Sequence, residues 1–207
     1  MNASLPPALI LAGGRSSRMG SDKLLLPFGN HSLLSYIANR LEPQASSVAV
    51  NAAAALPLPP HFRQLPDTLP DQPGPLAGVL AGLQDLSDHQ PQETHLLTVP
   101  SDAPFFPADL AARLQAAASA RNMIAVASSG GRIHSVFGLW PVSIADDLAE
   151  WLSVPANRRL SEFLARHPTV GIDWPAIETA IGPLDPFMNL NTPADMDAAR
   201  RFLQVLP

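Results

Sequence analysis

The stretch Ala8-Leu9-Ile10-Leu11-Ala12-Gly13-Gly14-Arg15-Ser16-Ser17-Arg18-Met19-Gly20-Ser21-Asp22-Lys23 decides the fold. Its opening, Ala8–Leu11, is wholly apolar, the pattern of a short strand buried on both faces of a parallel sheet. Paired glycines follow, which let backbone N–H groups turn into a cavity with no Cβ in the way. Arg15, Arg18 and Lys23 come next, in a chain that carries only 13 Lys+Arg in 207 residues. A buried strand, a glycine loop and clustered cations together suit a phosphate chain. The segment lacks Gly-Lys-Ser/Thr, so it is not a P-loop, and lacks Gly-x-Gly-x-x-Gly, so it is not a dinucleotide fingerprint. On composition alone, a glycine turn with solvated basic residues competes with the phosphate reading.

Outward from this stretch, helix and strand patterns alternate. A helix is predicted over 32–41, a strand over 46–50 that ends at Asn51, an irregular connection over 52–60 and a short strand over 62–65. Prolines and glycine fix the loop 67–75, and a small-residue helix follows over 76–86. The next strand is 96–99. Pro107 suits the first position of a helix with Leu110, Leu114 and Ala117 on one face. Strands over 123–127 and 135–140 flank Gly130 and Gly131. Ser143 with Asp146 reads as a capping box opening a helix, and Thr192, Pro193 and Asp195 start the last one. This alternation predicts an α/β fold: a single-domain three-layer α/β/α architecture over 1–207 with a Rossmann-like, mostly parallel sheet.

Composition excludes several classes. A net charge of −5, from 13 Lys+Arg and 18 Asp+Glu, argues against nucleic acid or a membrane surface as partner. The chain has no cysteine, which removes disulfide scaffolds, Cys zinc sites and a Cys nucleophile. The first residues lack a basic n-region and lead straight into the glycine turn, so they read as a strand and not a signal peptide. No apolar run reaches the roughly 18 residues of a membrane span. The expected location is the cytoplasm.

Three further residues stand at strand ends or in the shaped loop. Asp102, in Val99-Pro100-Ser101-Asp102-Ala103-Pro104, follows an apolar strand and so falls at the carboxyl edge of the sheet, where open α/β folds bind ligands. A carboxylate there suits Mg²⁺, which is held by one or two carboxylates plus phosphates. A turn or N-cap aspartate is the plainer reading. Asp67, in the Pro/Gly loop, is an acidic side chain that could accept hydrogen bonds from the hydroxyl or N–H groups of a ligand. Asn51 ends its strand as a turn residue does. Gly13, Asn51 and Asp102 each close a predicted parallel strand, so they are expected to converge on one edge of the sheet.

The pattern Leu-Ala-Gly-Gly-x-Ser-x-Arg-Met-Gly-x-Asp-Lys resembles the signature of the nucleotidyltransferases that activate sugars, cofactors and isoprenoid precursors. Within that superfamily the chain looks like the molybdenum cofactor guanylyltransferases. The likeness extends to Pro73-Gly74-Pro75-Leu76-Ala77-Gly78, to Pro100-Ser101-Asp102-Ala103-Pro104, to the run from His134 to Pro141, and to Asn189-Leu190-Asn191-Thr192-Pro193. The resemblance implies the nucleotide-diphospho-sugar transferase type of fold. It implies that Leu11, Ala12, Gly13, Gly14, Asn51 and Asp67 bind the nucleotide. It further implies that Lys23 and the loop arginine Arg18 hold the phosphates for catalysis, and that Asp102 binds the nucleotide and holds Mg²⁺; steering of anionic substrates from the rim is the other role open to Arg15 and Arg18. Asn189 and Asn191 would hold the pterin, although turn and cap roles suit them equally. The substrates implied are GTP and molybdopterin, with molybdoenzymes or their chaperones as recipients. Residues 1–105 would serve mainly the nucleotide and 106–207 mainly the acceptor.

Cytidylyltransferases of the same cofactor differ at Leu-Ala-Gly-Gly and Pro-Gly-Pro-Leu-Ala-Gly, which favours guanine. The chain departs from the pattern at Ser135, where proline is usual, and at Ser101, where cysteine is common; the role of His134 stays open. A cytidylyl or sugar-nucleotide transferase and a catalytically silent nucleotide sensor are the alternatives.

Overall fold

The computed structural model describes residues 4–12, 22–53, 55–59, 61–69, 74–118 and 120–206. In chain order its strands are β1 (Ala8–Leu11), β2 (Pro27–Phe28), β3 (His31–Ser32), β4 (Val48–Asn51), β5 (Arg63–Leu65), β6 (His95–Pro100), β7 (Ile124–Ser129), β8 (Arg132–Pro141), β9 (Thr169–Asp173), β10 (Ile177–Thr179) and β11 (Gly182–Leu184). The helices are α1 (Asp22–Leu25), α2 (Leu33–Leu41), α3 (Pro75–His89), α4 (Leu110–Ala117), α5 (Ala145–Ser153), α6 (Leu160–Leu164) and α7 (Pro193–Leu203).

Strand β1 is buried along its whole length because it has helices on both sides. Ala8 and Ile10 pack into one apolar layer with α2, α4 and α7, whereas Leu9 and Leu11 pack into the other with α3, α5 and α6. The period-2 alternation of a strand divides the four residues between these layers. Each layer depends on tight filling; Ile10→Ala is expected to destabilise by about 2–5 kcal/mol.

The main sheet has seven strands in the order β5-β4-β1-β6-β8-β7-β9. Strand β8 runs antiparallel to β6 and β7, and every other pairing is parallel. The expected mostly parallel three-layer fold is therefore the one observed. From β1 the chain passes through α2 to β4 and β5 on one side, then through α3 to β6 on the other. That reversal makes the carboxyl ends of β1 and β6 the topological switch point, where such sheets bind ligands.

Two sequence expectations need correction. Pro107 does not begin a helix: α4 starts at Leu110, whose N–H donates to the Pro107 carbonyl across 3.2 Å. Gln44 Nε2 also donates to that carbonyl, at 3.1 Å, so Pro107 belongs to a turn docked on the end of α2. Ser143 does not cap a helix either. It lies inside a 3₁₀ turn, Val142–Ile144, and α5 begins only at Ala145 with no side-chain cap. Asp146 then stands in the first turn of α5, where its charge complements the helix dipole. The start of α7 matches its signature: Thr192 and Asp195 form a reciprocal capping box with Pro193 in the first turn. The β2–β3 hairpin, β9 and the β10–β11 hairpin go beyond the elements expected from sequence.

Candidate active site

The ends of three strands meet in one row. Leu11 is in register with Asn51 of β4 on one side and with Pro100 of β6 on the other. Past the strand end, Ala12 N–H donates to Asn51 O at 2.9 Å, and Ser101 N–H donates to Leu11 O at 3.1 Å. Leu11, Ala12, Asn51 and Asp102 thus gather at the switch point. Gly13, Gly14, Arg15 and Arg18 lie outside the described residues, as does Asp71.

Lys23, on the short helix α1, reaches this edge of the sheet. Its Nζ lies 3.5 Å from Asp102 Oδ2, a contact between residues far apart in sequence. Lys23 is 6% exposed, whereas the Asp102 side chain keeps 30% of its surface open. A nearly buried ammonium needs a counter-charge, and among the described residues Asp102 is its salt-bridge partner. The backbone that carries Asp102 is anchored from below. Ala103, Phe105 and Phe106 are buried, and Arg40 of α2 donates from Nε to the Phe106 carbonyl and from Nη2 to the Phe105 carbonyl.

On the β4 side of the switch point stands Asn51, which is 2% exposed. Its amide nitrogen donates to Leu65 O at 3.1 Å and to Asp67 Oδ1 at 2.9 Å. Asn51 is therefore buried beneath Asp67 and fixes that carboxylate at the start of the Pro/Gly loop. Gly78, in α3, allows the fit: a Cβ there would stand 2.3 Å from Asn51 Oδ1 and 2.7 Å from Leu11 Cδ2. One turn later, a Cβ at Gly82 would meet Leu96 at 2.6 Å and Leu9 at 2.7 Å. The glycine spacing in the sequence of α3 lets the helix settle directly onto β1.

On the opposite side, Leu190 N–H donates to Asp102 O at 2.7 Å, which brings Asn189 and Asn191 beside Asp102. Asn191 N–H and Thr192 N–H both donate to Asp195 Oδ2, at 2.9 and 2.8 Å. The Thr192 side-chain and backbone hydrogen bonds, with smaller help from the Asn191 N–H and the charge of Lys23, hold the Asp195 carboxyl below its usual range.

A further cluster, unread from sequence apart from His134, adjoins this segment. His134 is 8% exposed, its Nε2 lies 2.8 Å from Ser129 Oγ, and Ser129 Oγ donates to Asp185 Oδ1 at 2.7 Å. Burial pushes the His134 pKa down, the Asp185 charge opposes that shift and Arg132 adds to it. The ring packs on Phe187 with centroids 4.9 Å apart.

Among the described residues no three His, Asp or Glu side chains gather as a metal cluster. A part-open carboxylate at the switch point still fits Mg²⁺, which takes substrate phosphates and water as its remaining ligands.

Residues 8–170 match the family described as the MobA-like NTP transferase domain. The chain belongs to that family. Among its relatives, the molybdenum cofactor guanylyltransferase of Rhizobium rhizogenes is 52% identical over 205 residues, covering 99% of this chain and 94% of that protein. The enzyme of the same name from Rhizobium meliloti is 45% identical over 207 residues, covering 99% and 95%. The fold of this MobA-like transferase is shared with the molybdopterin-guanine dinucleotide biosynthesis protein A of Archaeoglobus fulgidus, at TM-score 0.71 and 15% identity over 96% of this chain and 98% of that one. It is shared also with the 2-C-methyl-D-erythritol 4-phosphate cytidylyltransferase of Thermus thermophilus, at TM-score 0.65 and 17% identity over 99% and 100%. Proteins named for guanine and for cytosine chemistry share this architecture, so the fold alone does not choose the base.

Proposed function

We propose that this chain transfers GMP from GTP to the terminal phosphate of molybdenum-molybdopterin, releasing pyrophosphate and forming the guanine dinucleotide cofactor. The observation that carries the reading is the meeting of Lys23 and Asp102 at the switch point, with the 189–191 segment bonded to the same aspartate. High identity to proteins named molybdenum cofactor guanylyltransferase supports guanine and this acceptor.

The reaction needs little covalent help from the protein. A phosphate oxygen of the acceptor forms a bond to the α-phosphorus of GTP as the bond from that phosphorus to the bridging oxygen breaks. The electron pair leaves with pyrophosphate. The nucleophile is already ionised, so alignment and charge neutralisation carry the rate. Lys23 would neutralise charge on the phosphates, and Asp102, which it meets at 3.5 Å, would hold Mg²⁺. Held by that carboxylate, Mg²⁺ would supply further neutralisation of charge on the reacting phosphates. Asn51 holds Asp67 ready as an acceptor for the N–H groups of guanine or the ribose hydroxyls. Leu11, Ala12, Gly13 and Gly14 line the triphosphate, while Arg18 and Arg15 draw anions inward. Asn189 and Asn191 contact the pterin. In this scheme residues 1–105 serve mainly the nucleotide and 106–207 mainly the acceptor. The site of action is the cytoplasm, and a molybdoenzyme or its chaperone receives the product.

Melting temperature with GTP, CTP, UTP and ATP, each with and without Mg²⁺, tests the nucleotide half. Ligand at a hundredfold excess over Kd stabilises by about 2.7 kcal/mol, and that shift is expected for GTP alone. A CTP-selective shift moves the chain to cytidylyl transfer; no shift with any nucleotide overturns the proposal.

A further inference from the structure

The cluster of Ser129, His134 and Asp185 has a direction that its geometry fixes. Asp185 Oδ1 receives the Phe187 N–H at 2.9 Å and Ser129 Oγ at 2.7 Å. A carboxylate only accepts, so the single Ser129 hydroxyl proton points at Asp185. Ser129 Oγ must then accept from its other neighbour, His134 Nε2, at 2.8 Å. His134 is thereby assigned as the tautomer with its proton on Nε2. Burial, which disfavours the imidazolium, keeps it neutral.

This chain of bonds ends on the segment that borders Asp102. Asp185 bridges the β7–β8 hairpin to the Phe187 backbone, and His134 packs its ring on the Phe187 ring. Phe187 is wedged in turn against Phe137 and Trp174, at 4.8 and 5.6 Å between centroids. Just beyond it, Leu190 N–H closes on Asp102 O at 2.7 Å. The hairpin is thus fastened to the loop at Asp185 and Phe187, and the loop is fastened to the active-site aspartate at Leu190.

We propose that Ser129, His134 and Asp185 form a directed hydrogen-bond clamp that sets the 187–191 segment against Asp102, making His134 a positioning residue for acceptor binding and not for the nucleotide. The acceptor role of that segment rests on the function proposed above; the clamp itself does not. A ring-for-ring change separates donor from packing. His134→Phe keeps an aromatic ring against Phe187 but lacks the donor, and His134→Gln keeps an N–H donor near the Nε2 position.

The test has a structural arm and a kinetic arm. NMR of the full chain labelled with ¹⁵N-histidine reads the His134 tautomer at neutral pH, and amide exchange reads the Leu190 N–H. The expected result is the Nε2–H form, with Leu190 exchange faster by about tenfold in His134→Phe and Ser129→Ala, and near wild type in His134→Gln. An Nδ1–H tautomer, or unchanged exchange in both variants, overturns the clamp whatever the protein's activity. In the transfer assay the same two variants should raise the acceptor KM by about tenfold while GTP affinity stays within about twofold, with His134→Gln restoring the acceptor KM. A loss that falls equally on GTP affinity overturns the positioning role. If the wild-type chain transfers no GMP, the function proposed above fails, and the exchange and tautomer results still decide the clamp.

Discussion

Leu190 donates its backbone N–H to the carbonyl oxygen of Asp102 across 2.7 Å, joining the loop before the last helix to the end of the central strand β6. The side chain of the same aspartate faces Lys23 at 3.5 Å. One residue therefore connects Lys23 of α1 with the loop that precedes α7, so a change at Asp102 is expected to disturb both.

Lys23 and Asp102 should respond asymmetrically to removal. Asp102→Ala leaves a nearly buried ammonium without its partner and is expected to destabilise the protein by about 1–3 kcal/mol. Lys23→Met fills the same space with an apolar chain and leaves only a part-open carboxylate, so it should cost less than about 1 kcal/mol. Urea unfolding of the two variants measures the difference. Both should lose at least about a hundredfold in transfer rate, since each is assigned to charge neutralisation. Equal stability losses would show that the burial of Lys23 is not the governing term.

The sequence foreshadowed this site unevenly. Ala8–Leu11 announced a two-sided strand because an uninterrupted apolar run before a glycine turn has few other readings, and Asp102 followed from the same logic applied to β6. Asn51 was found by its place at a strand end, but its buried bond to Asp67 depends on β4 and β5 lying side by side. The Ser129–His134–Asp185 cluster could not be read, because its members come together only when the loop after β11 packs on the β7–β8 hairpin. The errors at Pro107 and Ser143 share a cause. Both residues have strong helix-start chemistry, and in both places a turn anchored elsewhere delays the helix.

Gly78→Ala should act through Asn51. The added Cβ would meet Asn51 Oδ1 at 2.3 Å, so the amide must move and its bond to Asp67 must lengthen or break. Loss of that bond should weaken nucleotide binding by about tenfold. Calorimetric titration of the variant with GTP checks this, and an Asn51→Ala variant should show a loss of similar size. Unchanged affinity in both would remove Asp67 from the nucleotide site.

Acid should loosen the start of α7. Hydrogen bonds from Thr192 hold the Asp195 carboxyl below its normal range. A depressed carboxyl stabilises the fold above its unfolded value, and that contribution is lost as pH falls through the depressed folded value. Below the ordinary carboxylate range, the amides of Asn191 and Thr192 should therefore lose protection from exchange. Asp195→Asn should show weakened protection at neutral pH and no such transition. A wild-type protein whose two amides are indifferent to acid would refute the linkage.

The most direct measurement is transfer itself. Purified chain, molybdenum-molybdopterin, Mg²⁺ and either GTP or CTP are incubated, and the dinucleotide product is identified by mass. The account predicts the guanine dinucleotide with release of one pyrophosphate per product, abolished in Asp102→Ala. Formation of the cytosine dinucleotide in preference, or unimpaired product formation by Asp102→Ala, would contradict it.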